Sequence, residues 1–131
     1  MPKRRTTLHT RLPLYRTPRN EWRREIHGVV AELARSVGVR YAPTDELEVE
    51  LLLYLPPSAV RFHDVDNRLK DVMDALQGRA GGPKSRRPLP PIVPNDRQVR
   101  RVVVEKMVAP KQSGGSGHLT IRACRARPTA R

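Results

Sequence analysis

The most regular pattern in the chain lies at 47–55, where Glu46, Glu48 and Glu50 interleave with Leu47, Val49 and Leu51. Period two belongs to a strand with one face in a core and the other in water. A half-buried strand is therefore predicted here, with its glutamates in solvent and Pro56 and Pro57 ending it. Helical spacing occurs twice. Trp22, Ile26, Val29, Val30, Leu33 and Val37 make one apolar stripe and predict a helix over 21–37, with Asn20 as N-cap, Glu21 on the N-terminal dipole and Gly38 closing it. His27 lies on this helix with no second ligand four residues on, so it is expected at the core edge or in solvent.

Leu69, Val72, Met73 and Leu76 stand at i, i+3, i+4 and i+7 and predict a second helix over 67–77, capped by Asp66 and ended by Gly78. Two further runs predict strands: the Val-rich 98–108, and 118–123 with Leu119 and Ile121 inward. The Gly/Ser stretch between them predicts a hairpin. Leu8, Leu12 and Leu14 allow a short first strand, which Pro13 confines to an edge or to its own end. Segment 78–95 holds five of the thirteen prolines and is too long for an ordinary connection, so it is a functional loop or a disordered one. Together these elements predict an α+β domain, a mixed sheet of about four strands with two helices packed on one face.

Composition narrows the partners. At 131 residues the chain is one domain, with a core over 8–123 and basic flexible tails at 1–7 and 124–131. Only 4% of residues are aromatic, which argues against a protein that stacks single-stranded bases. The net charge of +13 suits a polyanion, and phosphate backbones are the usual one. A single cysteine, Cys124, excludes an internal disulfide and a cysteine zinc site. No apolar run approaches the ~20 residues of a membrane span, and the basic N-terminus lacks an apolar signal core. A cytoplasmic protein with no membrane contact is expected.

Against that basic background stands RFHDVDNRLKDVMDALQG, residues 61–78, with Asp64, Asp66, Asp71 and Asp74; a fifth acid, Asp96, sits in PNDRQV. Carboxylates this close repel one another and raise one another's pKa unless a cation lies between them. Mg²⁺ is held by a few carboxylates with water and phosphate, and supplies an activated water and charge neutralisation at phosphorus. A D-x-D pair at a strand-to-helix junction plus an Asp from a neighbouring strand makes a workable cage. The plainer alternative is that Asp66 is only a cap, Asp64 a turn residue, and Asp71 and Asp74 solvated helix surface. Lys70 lies four residues from both Asp66 and Asp74 and is expected to touch both.

At D-x-D-N-x-x-K, within DVDNRLKDVMDAL (64–76), and at NDRQV (95–99), the chain resembles the RusA family of Holliday-junction resolvases. The resemblance implies that Asp64, Asp66 and Asp96 form a Mg²⁺-binding catalytic set, with Mn²⁺ a possible substitute, and that Lys70 is needed for activity. It further implies cleavage of four-way DNA junctions by a homodimer, since two symmetric cuts require a twofold axis. Where some members carry two adjacent aspartates this chain has Asn95-Asp96, and its loop before them is longer and richer in proline. Arg61, Arg68, Lys84, Arg86, Arg87, Arg97 and Arg100 are candidate phosphate contacts; no small-molecule cofactor is expected. The alternative from another class is a non-catalytic DNA- or RNA-binding module with a structural Asp cluster. The metal-cage reading ends if the fold leaves Asp96 remote from Asp64 and Asp66, or seals them with arginines.

Overall fold

The computed structural model describes residues 6–57, 65–81, 89–111 and 116–124, without the Val65 side chain. Its elements are β1 (Thr7–Leu12), α1 (Arg19–Val37), β2 (Leu47–Leu55), α2 (Val65–Leu76), β3 (Val99–Val108) and β4 (Gly117–Ala123), with a short 3-10 turn, Asp96–Gln98, leading into β3. The strands form one sheet in the order β1-β4-β2-β3. β4 runs antiparallel to both β1 and β2, while β2 and β3 are parallel. The fold is α+β, a four-strand mixed sheet with two helices.

The alternation that predicted β2 is complete. Leu47, Val49, Leu51, Leu53 and Leu55 are 0–4% exposed, and the first four share a core with Trp22, Ile26 and Val30 of α1, Val72, Ala75 and Leu76 of α2, and Leu119 and Ile121 of β4. Burying each such side chain is worth about 1.5–3 kcal/mol, so this strand anchors the domain. Trp22 is fully buried, and its indole N–H still finds the Pro13 carbonyl at 2.9 Å. Among the described residues the other sheet face carries no helix. It presents Glu48, Glu50, Leu52 and Tyr54 of β2, with His118, Thr120 and Arg122 of β4 beside them.

Both helices begin two residues earlier than the pattern indicated. α1 opens at Arg19, with Pro18 in the cap position and no side-chain cap, so Asn20 lies inside the first turn. The start is held instead by Arg19 and Arg23, which reach across to α2. α2 opens at Val65, which puts Asp66 in its first turn rather than at the cap. Gly38 closes α1 in the left-handed region, φ 73°, as expected. Gly78, φ 82°, follows α2 and has a second reason to be glycine: a Cβ there would lie 2.0 Å from the Leu89 carbonyl oxygen.

The predicted hairpin of 98–108 with 118–123 does not form. β3 pairs with one side of β2 and β4 with the other. Strands joined through a helix pair in parallel, and the β2–α2–β3 connection follows that rule, taking one edge of β2. The most apolar strand then gains most by having its second edge paired as well. Accordingly the chain after β3 crosses the end of β2, where the Ala109 N–H bonds the Leu55 carbonyl and the Tyr54 N–H bonds the Ser116 carbonyl, and returns as β4 on the far side. Gly117 makes the crossing possible; at φ 138° a Cβ would stand 1.8 Å from the Leu52 carbonyl oxygen. β1 is an edge strand, as Pro13 indicated, but Leu14 lies beyond it and is 69% exposed.

Candidate active site

Where the acids stand follows from the direction of each element. α2 starts near the end of β2: Arg68 lines a small cavity with Leu53, Tyr54, Leu55 and Pro56. The helix then runs back along the sheet. From Asp66 to Leu76 the rise is about 15 Å. The Leu76 carbonyl accepts the N–H groups of Ile92 and Val93 at 2.8 and 2.9 Å, and that segment delivers the chain to Asp96. Gln98 then ties the turn to the opposite end of β2, donating from Nε2 to the carbonyls of Ala42 and Asp45, both at 2.8 Å. Asp66 and Asp96 thus occupy opposite ends of the sheet. Two oxygens on one Mg²⁺ stand no more than about 4 Å apart, so a single chain does not bring Asp66 and Asp96 onto one ion. Asp64 lies outside the described residues. Among the described residues no group of three His, Cys, Asp or Glu side chains is placed to hold a metal.

Each half of the split set has its own local logic. Asp66 is exposed in the first turn of α2. Lys70, one turn on, is exposed too. At the other end, Asn95 and Gln98 form a capping box around the 3-10 turn: Asn95 Oδ1 accepts the Arg97 N–H, and Gln98 Oε1 accepts the Asn95 N–H. Asn95 is therefore a cap rather than a neutral metal ligand. The two residues flanking Asp96 in N-D-x-Q thus hold a turn that presents an exposed Asp96, whose carboxylate has no partner among the described residues. Gln98 is buried. Gln98→Ala strands one N–H and two carbonyls, and is expected to lower stability by about 2 kcal/mol, read as a shift of the urea midpoint with unchanged slope.

Asp71 corrects the expectation of a solvated helix surface. It is 1% exposed and accepts from Arg19 Nε (3.1 Å to each oxygen), Arg19 Nη2 (2.9 Å) and Arg23 Nε (2.8 Å). Hydrogen bonding to Asp71 raises the Arg19 pKa above its ordinary value. Arg23 also lies 3.6 Å from the half-buried Asp74. This acid is paired with two arginines, joins α1 to α2, and at 1% exposure is closed to solvent.

Of the candidate phosphate contacts, Arg61, Lys84, Arg86 and Arg87 lie outside the described residues. Arg68 is half-buried, its guanidinium 3.2 Å from the centre of the Tyr15 ring, and burial lowers its pKa. A cation stacked on an aromatic face already has one surface occupied. Arg100 pairs with Glu46 at 3.0 Å. Arg97, beside Asp96, is exposed and has no ion pair among the described residues. The glutamates of β2 take part in a charge ladder on the bare face, where Arg101 lies 3.7 Å from Glu48 and 3.6 Å from Glu50, and Arg122 lies 3.2 Å from Glu50. That is the ordinary role of alternating carboxylates on a strand.

Two smaller residues behave as their surroundings dictate. His27 is a core-edge residue, its Nε2 2.7 Å from the Pro90 carbonyl oxygen, and it pins the Pro-rich segment to α1. Burial and then Glu48 push up the Cys124 thiol, which suits a structural cysteine rather than a nucleophile. The bare face also holds a cluster the periodicity did not flag. His9 and His118 stack 5.5 Å apart, beside Thr120, Glu50 and Glu105, and the buried Nδ1 of His118 has no partner among the described residues. Burial, then His9 and Arg11, lower the His118 pKa. Among the described residues no helix is long and apolar enough to cross a membrane. No family model and no curated protein matches the chain.

Proposed function

We propose that two copies of this chain form a Mg²⁺-dependent endonuclease of branched DNA, with four-way junctions as the first substrate. Asp64 and Asp66 of one copy, together with Asp96 of the other, would hold the cation, and Mn²⁺ could replace it. The observation that carries this reading is the placement of the two motifs. D-x-D-N-x-x-K exposes Asp66 at one end of the sheet, and N-D-x-Q-V exposes Asp96 at the other. A twofold axis across the sheet sets opposite ends of two copies side by side, and a junction cut twice calls for such an axis. Lys70 and Arg97 are the exposed cations nearest in sequence to Asp66 and Asp96, and serve as phosphate contacts.

A second reading is favoured by the same separation taken within one chain: a basic nucleic-acid-binding module whose acids are structural, as Asp71 is. A labelled four-way junction decides between them. The nuclease binds it with Mg²⁺ or with chelator, and nicks it only with the metal; Asp66→Asn keeps binding and loses nicking. Binding under both conditions with no nick in either, and Asp64→Asn indistinguishable from the unaltered protein, would establish the binding module. Nicking of flaps in preference to junctions would change the substrate but not the chemistry.

A further inference from the structure

The bare sheet face holds two histidines where edge strand β1 meets β4. Among the described residues β1 pairs with β4 alone, and the register sets His9 opposite Thr120 and Arg11 opposite His118. The two imidazoles lie 5.5 Å apart with their planes 7° from parallel, and His9 Nδ1 stands 2.7 Å from Thr120 Oγ1. The Nδ1 atom of His118 is buried and has no hydrogen-bond partner among the described residues. On the opposite face of β1, Leu8 and Leu12 are buried in the core. The β1–β4 seam is therefore closed by an apolar side that ignores pH and an imidazole side that does not.

We propose that the stacked His9–His118 pair is a pH-sensitive latch on β1: neutral, it closes the β1–β4 seam, and protonation of His118 loosens that strand. A neutral imidazole leaves one nitrogen without hydrogen, so Nδ1 can stay bare in its buried position. An imidazolium carries N–H on both nitrogens, and the one on Nδ1 becomes a buried donor with no acceptor among the described residues. From β1, Arg11 stands opposite and a protonated His9 lies against the same ring, so both add like charge. From β2 and β3, Glu50 and Glu105 line the same cavity and favour the charged form. Glu50 is already engaged by Arg101 at 3.6 Å and by Arg122 of β4 at 3.2 Å, and Glu105 is exposed, where solvent and salt screen it. Tyr54 of β2 meets the His118 ring edge to face at 5.5 Å, and a phenol carries no charge near neutrality.

The balance holds the His118 pKa below the ordinary 6.5, through burial first and then His9 and Arg11. The unfolded chain then takes the proton more readily than the folded one. Stability is fully present above the ordinary 6.5 and is lost as pH falls through that value toward the lower folded pKa. The latch belongs to the fold and stands whether or not the chain cuts DNA.

Hydrogen exchange read by mass spectrometry, corrected for intrinsic rates, tests the latch at about pH 7.5 and about pH 5.5. Protection of β1 is expected to fall at the lower pH relative to that of β2 in the middle of the sheet. His118→Gln keeps a neutral polar side chain and is expected to lose that difference; Arg11→Gln is expected to shrink it. In the unaltered protein, the His118 ring proton followed by NMR is expected to titrate below 6.5. Equal β1 protection at the two pH values, the same fall in His118→Gln, or a loss shared equally by β1 and β2, would overturn the latch. So would a His118 titration at or above 6.5, a readout that needs no variant to fold.

Discussion

Mixing chains that carry Asp66→Asn with chains that carry Asp96→Asn is expected to restore junction nicking that neither variant supports alone. If each site takes Asp66 from one copy and Asp96 from the other, a dimer of unlike variants has one site with both acids and one with neither. Random exchange makes about half of the dimers unlike, so about a quarter of the original sites return. The restored product should be singly nicked, because the second cut has no intact site. A site built within one chain behaves differently: every chain in the mixture lacks an acid, and no activity appears at any ratio. The readout separates nicked from fully resolved junction on a gel, after the two proteins are unfolded and refolded together to exchange copies. No restoration alongside normal binding would remove the shared site.

Asp71→Ala is expected to destabilise the domain by about 3 kcal/mol or more, seen as a large fall in the urea midpoint. Removing one member of a buried ion pair costs about 3–5 kcal/mol, because the remaining charge stays desolvated and its donors lose their acceptor. The lower end applies because Arg19 is 41% exposed and can turn to water, whereas Arg23, at 17%, cannot do so fully. Asp74→Ala is the control. Its carboxylate is 21% exposed and stands 3.6 Å from Arg23, so it should cost under about 1 kcal/mol. Similar losses for the two variants would show that Asp71 is not the residue joining α1 to α2.

These expectations mark where local pattern carries information. β2 was legible to the residue because alternation at Leu47–Leu55 is a property of neighbours: each side chain's face follows from the one before. The helices were legible as elements and wrong by two residues at their starts. The Arg19 contact to Asp71 lies 52 residues away in sequence and the Arg23 contact 48, and no window of periodicity spans that distance. The same contacts turned Asp71 from presumed surface into a buried acid. His9 and His118 meet on the bare face for a comparable reason, through strand pairing between distant segments.

From the residues alone came the α+β class, the extents of β2, β3 and β4 to within a residue, the aliphatic core and the two motifs that carry the candidate chemistry, since each depends on spacing along a short stretch. Strand order, the partners of Asp71 and the separation of Asp66 from Asp96 were decided only in three dimensions. They depend on which surfaces compete best for burial: β2 takes a neighbour on each side, the crossover through α2 sends β3 to one edge, and the helix between the two motifs carries their acids to opposite ends of the sheet.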